Sequence, residues 1–307
     1  MGKIAFVFPG QGAQAVGMGK DAYEQTPEAK DIFDRADAAL GYPLSRLAFE
    51  GPEEELRQTA NTQPALLTTS VALLEVFKAQ GMKPDFVAGH SLGEYSALVA
   101  AGVIGFEDAV RLVRARGQFM EQAVPGGQGA MAAVLGADRE PLEALCRDVS
   151  EKVGLVELAN VNCPGQIVVS GSAEGVAAVG ERGKEAGAKR VIPLEVSGPF
   201  HSSLMQPAAD RLAGELAGVT FKDAEVPVVA NVNASPVTSG AELRDLLVKQ
   251  VVSPVLWEDT VRFLIGQGVD TFVEIGSGTV LAGLIRKVDK SVQVLSVNTA
   301  ASALGQA

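Results

Sequence analysis

The sequence predicts an α/β fold, a mostly parallel sheet flanked by helices, with a smaller ferredoxin-like domain inserted into it. Three observations carry this reading. Short, continuous apolar runs at 4–8 and 86–88 read as strands buried on both faces. Helix-periodic segments separate such strands, and another strand pattern returns at 271–274, which is the alternation of a parallel sheet. The middle of the chain instead reads βαββαβ, bounded by the breaks Pro125-Gly126-Gly127-Gln128-Gly129 and Ser197-Gly198-Pro199.

Taken in order, Pro9-Gly10 stops the first strand and 28–37 reads as helix. Residues 64–80 predict a helix with Pro64 at its start and Gly81 just past its end. Strand 86–88 runs into a small apolar helix at 91–101, and a longer helix covers about 106–123. The insert follows as strand 131–135, helix 139–151, strands 155–159 and 166–170, helix 173–186 and strand 190–194. We expect a large domain of 1–124 and 199–307 and a small one of 125–198, with a frayed tail at 301–307.

Composition excludes several classes. The chain has 307 residues with 26 basic and 37 acidic side chains, a net charge of −11, which disfavours nucleic acid and anionic membrane as partners. No run of eighteen apolar residues occurs, and the amino terminus lacks a basic flank with a cleavage site, so neither a membrane span nor a secretory signal is expected. Cys146 and Cys163 are too few for a disulfide framework and fit a reducing cytoplasm. With only two histidines, His90 and His201, no soft-metal site is expected.

Gly10-x-Gly12-x-x-Ala15 matches the dinucleotide fingerprint in letters, but Gly17 and Gly19 interrupt the helix that fingerprint requires. What remains is a glycine-rich loop with free N–H groups at the carboxyl end of a buried strand. Gly89-His90-Ser91-Leu92-Gly93 has the form of a nucleophile elbow between strand and helix, the context the motif needs. Its alternative is an ordinary serine helix cap. A serine nucleophile needs a base; His90 is adjacent in sequence and points away, so His201 is the base by elimination, against a helix-capping role. His90 reads as structural, hydrogen-bonded beneath the turn.

On the helix at 106–123, Ala109, Leu112, Val113, Arg116 and Met120 form the core-facing stripe, opposite Arg111, Arg114, Gln118 and Gln122. Water, Glu107 and Asp108 account for Arg111 and Arg114. Arg116 on the apolar face needs either a structural ion pair or a substrate carboxylate, because burying an unpaired guanidinium costs several kcal/mol.

These motifs do not stand alone. They occur in order with Phe8-Pro9-Gly10-Gln11-Gly12, Thr62-Gln63-Pro64-Ala65, Gly93-Glu94-Tyr95, Arg116-Gly117-Gln118-Phe119-Met120 and Asn160-x-Asn162-x-Pro164-Gly165-Gln166. Gly198-Pro199-Phe200-His201, Pro227-Val228-Val229-x-Asn231-Val232 and Gln250 ahead of Pro254-Val255-x-Trp257 complete the series. Together they resemble the malonyl-CoA:acyl carrier protein transacylases of fatty acid synthesis, and more broadly the acyltransferase domains of polyketide synthases.

The resemblance implies an α/β-hydrolase-like large domain with the active site between it and the insert. It implies Ser91 as acyl-accepting nucleophile and His201 as base, oriented by the main-chain carbonyl of Gln250 in place of a carboxylate. The N–H groups of Gln11 and Leu92 would form the oxyanion hole, and Arg116 would pair with the malonyl carboxylate. Gln63 and Asn160 would line the same cleft. Phe200 resembles the malonyl-selecting type, its ring filling the space an α-methyl needs; such a pocket difference is worth about 1–3 kcal/mol. Malonyl-CoA and acyl carrier protein are the expected partners, with no metal or redox cofactor, and the chain is expected to be monomeric. Lys184, Lys189, Arg190, Arg286 and Lys287 are the candidate basic surface for an acidic carrier. A serine thioesterase or esterase, a polyketide acyltransferase and a non-catalytic carrier-binding module are the alternatives.

Overall fold

A computed structural model describes residues 2–306 and shows a two-domain α/β fold. In chain order the strands are β1 (Lys3–Phe8), β2 (Phe86–Gly89), β3 (Gly129–Leu135), β4 (Val156–Cys163), β5 (Gln166–Ser172) and β6 (Arg190–Pro193). They continue as β7 (Val228–Val229), β8 (Pro236–Val237), β9 (Val255–Leu256), β10 (Val269–Ile275) and β11 (Gln293–Val297).

One sheet has the order β11-β10-β1-β2-β7-β8, parallel throughout except for the short β7–β8 hairpin. Its central strand β1 is apolar at every position from Ala5 because both faces are covered. Phe6 and Phe8 pack toward helices Thr59–Phe77 and Gly93–Ala100, whereas Ala5 and Val7 face helices Trp257–Gly266 and Val280–Val288. Strand alternation therefore serves two cores with one uninterrupted hydrophobic run.

The second sheet has the order β6-β3-β5-β4-β9. Its first four strands are antiparallel and come from the expected βαββαβ segment, in the ferredoxin-like arrangement. Helices Arg139–Lys152 and Ala173–Arg182 bury Leu142, Leu145, Val149, Val176 and Val179 against one face. The fifth strand is an addition to that reading: β9, from the later part of the chain, pairs parallel to β4 through Asn160–Val255 and Val161–Leu256. A two-residue strand is invisible to periodicity, which needs several residues to register. β4 also runs further than expected, carrying Asn160 and Asn162 within the strand.

Three further expectations are corrected. The helix expected from Pro64 begins at Thr59, so Pro64 lies inside it. Proline has no N–H and leaves the carbonyl four residues back without its helical donor, here Ala60. Arg114 Nη1 donates to that carbonyl at 2.8 Å, and also to Asn61 Oδ1. Arg114 is thus half-buried and structural rather than solvated, whereas Arg111 pairs on the surface with Asp108 as expected. The carboxyl-terminal segment is not frayed as far as Gln306: Ala300–Ala303 is helical, with a capping box between Thr299 and Ser302, and Ala303 is buried. The last residue lies outside the described ones. Among the described residues no helix is long and apolar enough to cross a membrane.

Replacing Arg114 with alanine should cost about 1–3 kcal/mol of unfolding free energy, the penalty of a buried acceptor stripped of its donor. Arg111→Ala should stay within about 0.5 kcal/mol of the parent. Urea denaturation of the two variants checks this, and equal effects would contradict the assignment.

Candidate active site

The site is assembled at the carboxyl ends of β1 and β2, where open α/β sheets present their loops. The turn after β2 is possible only because glycines flank it. A Cβ on Gly89 would lie 1.9 Å from Gly93 O, one on Gly93 would lie 2.1 Å from Phe8 O, and one on Gly10 would lie 2.2 Å from His90 O. Between them Ser91 adopts a φ of 50°, a left-handed conformation uncommon for any residue but glycine. Asn231 holds it there: its Oδ1 accepts from Ser91 N at 2.8 Å, and its Nδ2 donates to Gly89 O at 2.7 Å. Ser91 does not cap the following helix, which begins beyond Leu92 without a side-chain cap.

Ser91 Oγ instead meets His201 Nε2 at 2.7 Å. His201 also has a positive φ, 58°, in the turn preceding helix Gln206–Ala217, and its Nδ1 lies 2.9 Å from Gln250 O. A carbonyl only accepts, so Nδ1 carries the proton and Nε2 offers its lone pair to the serine hydroxyl. Burial, and then the positive charge of Arg116, push the His201 pKa down to about 3. The imidazole is therefore neutral across the physiological range. His90 is half-buried, and desolvation likewise holds it below its ordinary pKa. Its Nε2 reaches Asn162 Oδ1 in the small sheet at 2.8 Å, beside the Trp257 ring.

Arg116 is 1 % exposed. No carboxylate lies within ion-pair distance of it among the described residues. Its Nη1 donates to Gln63 Oε1 at 2.9 Å, and its Nη2 donates to Gln250 Oε1 at 2.8 Å and to Ser91 Oγ at 3.2 Å. The guanidinium stands 5.4 Å from the Tyr95 ring centroid, a further favourable contact for a cation, while Nε has no partner. Of the two sequence alternatives for Arg116, the structural ion pair is absent.

A cavity of about 450 Å³ opens onto this group between the two domains. Gln11, Ser91, His201, Asn160 and Phe200 line it, and Asn160 projects from β4 in the small sheet. Arg116, Gln63 and Gln250 stand behind the wall at Ser91 rather than in the lining. The main-chain N–H groups of Gln11 and Leu92 donate to no protein acceptor among the described residues, so both remain available next to Ser91. Leu194 and Val280 in the lining are large exposed apolar side chains. Lys287 Nζ reaches the lining residue Gln166 at 3.5 Å.

Sequence reading missed Glu94 and Asn231 as members of this site. Glu94 is 1 % exposed, and burial pushes its pKa up to about 7. An acid in the small apolar helix after Ser91 was the same kind of anomaly as Arg116 on its stripe, so a signal existed. For Asn231 the only signal was its place in the Pro227-Val228-Val229-x-Asn231-Val232 series, since nothing local distinguishes it from a turn residue.

Titration offers a direct check on the electrostatics. Because the folded pKa of His201 is depressed from 6.5 to about 3, its neutral form supports folding above pH 6.5, and that support is lost as the pH falls toward 3. The His201 ring resonances should therefore stay flat from pH 8 to pH 5 by NMR, with no inflection near 6.5. A normal titration would contradict a buried neutral imidazole.

Comparison with known proteins agrees with this geometry. The acyl transferase domain family matches residues 5–305. The chain is 57% identical over 298 residues to the malonyl CoA-acyl carrier protein transacylase of Bacillus subtilis (strain 168), covering 97% of this chain and 94% of that one. It is 49% identical over 299 residues to that of Staphylococcus aureus (strain MRSA252), covering 97% and 96%. Among solved structures, an acyl carrier protein S-malonyltransferase from Vibrio cholerae O1 biovar eltor aligns with a TM-score of 0.95 at 47% identity, covering 98% of each chain. A malonyl-transacylase in complex with a type II PKS acyl-carrier protein aligns with a TM-score of 0.95 at 46% identity, covering 99% and 98%. The chain belongs to the acyl transferase domain family and, within it, to the malonyl-CoA:acyl carrier protein transacylases.

Proposed function

We propose that the chain transfers a malonyl group from coenzyme A to the phosphopantetheine thiol of an acyl carrier protein, by way of an acyl-enzyme on Ser91. The observation that carries this reading is the sharing of one hydroxyl. Ser91 Oγ stands 2.7 Å from a neutral imidazole nitrogen and 3.2 Å from a buried guanidinium without a carboxylate partner. The first contact suits a nucleophile and its base. The second suits an acyl group that itself bears a negative charge, which an ordinary esterase or thioesterase has no need to recognise.

In the first half-reaction His201 Nε2 takes the Ser91 proton while Oγ attacks the thioester carbonyl. The Gln11 and Leu92 N–H groups donate to the oxyanion, which is worth about 2.7–4 kcal/mol per donor in comparable sites. Collapse breaks the C–S bond, and His201 returns the proton to the departing coenzyme A thiolate. In the second half-reaction the carrier thiol gives its proton to His201 and attacks the malonyl ester; the proton then returns to Ser91 Oγ. Proton and acyl group are thus conserved without any further reagent. The Gln250 carbonyl keeps the imidazole in the required tautomer. Gln63 steadies Arg116, and Asn160 and Phe200 shape the cleft.

Arg116 meets the malonyl carboxylate by exchanging one of its neutral acceptors for a charged one, and a planar fork can bind a carboxylate through two parallel hydrogen bonds. We read 125–198 as the small domain and 1–124 with 199–307 as the large one; the confinement of four small-sheet strands to this segment supports those limits.

With malonyl-CoA alone, intact mass spectrometry should show one malonyl adduct on the protein, absent from Ser91→Ala and retained in Ser202→Ala. An adduct surviving in Ser91→Ala would remove the nucleophile assignment.

Arg116→Ala should lower the malonyl-to-acetyl preference about tenfold to a hundredfold, the worth of hydrogen bonds to a charged group. Turnover of both acyl groups, read beside the melting temperature, checks this. A preference that stays constant while both activities fall would make Arg116 purely structural.

A further inference from the structure

The buried carboxylate of Glu94 is not consumed by the reaction above. It sits on helix Gly93–Ala100, immediately after the Ser91 turn, yet it makes no ion pair with Arg116. Its Oε2 accepts from Gln250 Nε2 at 2.8 Å and from the main-chain N–H of Asn231 at 3.3 Å. Gln250 is itself fully buried and uses every polar group it has. Nε2 also donates to Ser91 O at 3.0 Å and to Asn231 Oδ1 at 3.3 Å, Oε1 accepts from Arg116 Nη2 at 2.8 Å, and the main-chain O accepts from His201 at 2.9 Å.

A side-chain amide can rotate by half a turn and exchange its oxygen and nitrogen at almost no cost in shape. For Gln250 that rotation would turn the NH₂ toward the Arg116 guanidinium and the oxygen toward Glu94. Donor would face cation and acceptor would face acceptor. Ser91 O and Asn231 Oδ1 also face the nitrogen, at 3.0 and 3.3 Å, but Glu94 Oε2 at 2.8 Å is its nearest acceptor, so Glu94 forms the acceptor side of a lock whose donor side is Arg116.

We infer that Glu94 is a positioning residue that locks the Gln250 amide with its oxygen on Arg116, tying the helix behind Ser91 to the anchor for the malonyl carboxylate and to the residue whose carbonyl orients His201. This rests on Arg116 being that anchor. The rival account is that Glu94 acts as a buried counter-charge to Arg116 at longer range. The two differ in what they require. Locking needs an acceptor at full reach, charged or not; a counter-charge needs only the charge.

Three variants separate them in the full-length protein, with malonyl-CoA and acetyl-CoA as donors and a holo acyl carrier protein as acceptor. Glu94→Gln keeps the reach and an acceptor oxygen and discards the charge. Glu94→Asp keeps the charge but withdraws it by roughly 1.5 Å, one carbon–carbon bond. Glu94→Met keeps the bulk alone. We expect Glu94→Gln to hold the malonyl-to-acetyl ratio of kcat/KM within about twofold, and Glu94→Asp and Glu94→Met to lower it about tenfold.

The reverse pattern, with aspartate retaining the ratio and glutamine losing it, overturns the proposal in favour of the counter-charge. A ratio unchanged in every variant, or equal loss of both activities with a lower melting temperature, overturns it as well. If Glu94→Met fails to fold, the comparison of glutamine with aspartate still decides. Failure of the parent protein to form the malonyl adduct, or an Arg116→Ala variant with an unaltered ratio, is a failure of the functional reading and is recognised separately.

Discussion

Keeping a buried guanidinium charged without giving it a carboxylate is the requirement around which this site is arranged. Removing an arginine from water costs several kcal/mol unless its donors find acceptors. Arg116 finds two amide oxygens, a serine hydroxyl and an aromatic face. These take three of its five N–H groups and one face of the cation, and supply no contacting negative charge. A permanent salt bridge would hold the fork more firmly and would leave nothing for a ligand to gain. Neutral acceptors fix the direction of the fork and leave its charge for an anionic acyl group, which in the proposed reaction is the source of selectivity.

The same charge governs the neighbouring imidazole. Arg116 and burial both oppose protonation of His201, so the resting imidazole is neutral and its free nitrogen faces the serine. The group that orients it is a main-chain carbonyl, Gln250 O. A carboxylate in that place would lie beside the Arg116 fork that the Gln250 side chain already holds, and would neutralise it. A carbonyl orients the ring with a dipole alone. The identity of the orienting group and the availability of Arg116 are thus two sides of one electrostatic arrangement.

Convergence of these groups is a property of the sheet and of its link to the small domain. The turn at Ser91 and the loop at Gln11 lie at the carboxyl ends of adjacent parallel strands, β2 and β1. The stretch that delivers Gln250 continues into β9, which joins the edge of the small sheet beside Asn160. The wall of the cleft and the residue whose carbonyl meets the His201 ring are therefore linked through one short strand pairing, and His90 adds a second tie through Asn162.

How much of this the sequence determined by itself follows from the range of the forces involved. Local rules sufficed for the strands at 4–8 and 86–88, the elbow around Ser91, the βαββαβ insert and the buried face of the Arg116 helix, because periodicity and glycine sterics act within a few residues. Counting sufficed for His201, since only two histidines exist. Tertiary structure alone decided the rest. It showed that Arg114 completes the carbonyl orphaned by Pro64, that β9 closes the small sheet, and that Asn231 pins the strained turn. It also decided that Arg116 is satisfied by Gln63 and Gln250 rather than by a carboxylate, and that Glu94 bears on that choice. Each of these is a hydrogen bond between buried groups far apart in the chain. The sequence shows that such a group is buried and must be satisfied, but any of many polar residues could meet the requirement; only the folded chain selects which one stands within hydrogen-bonding distance.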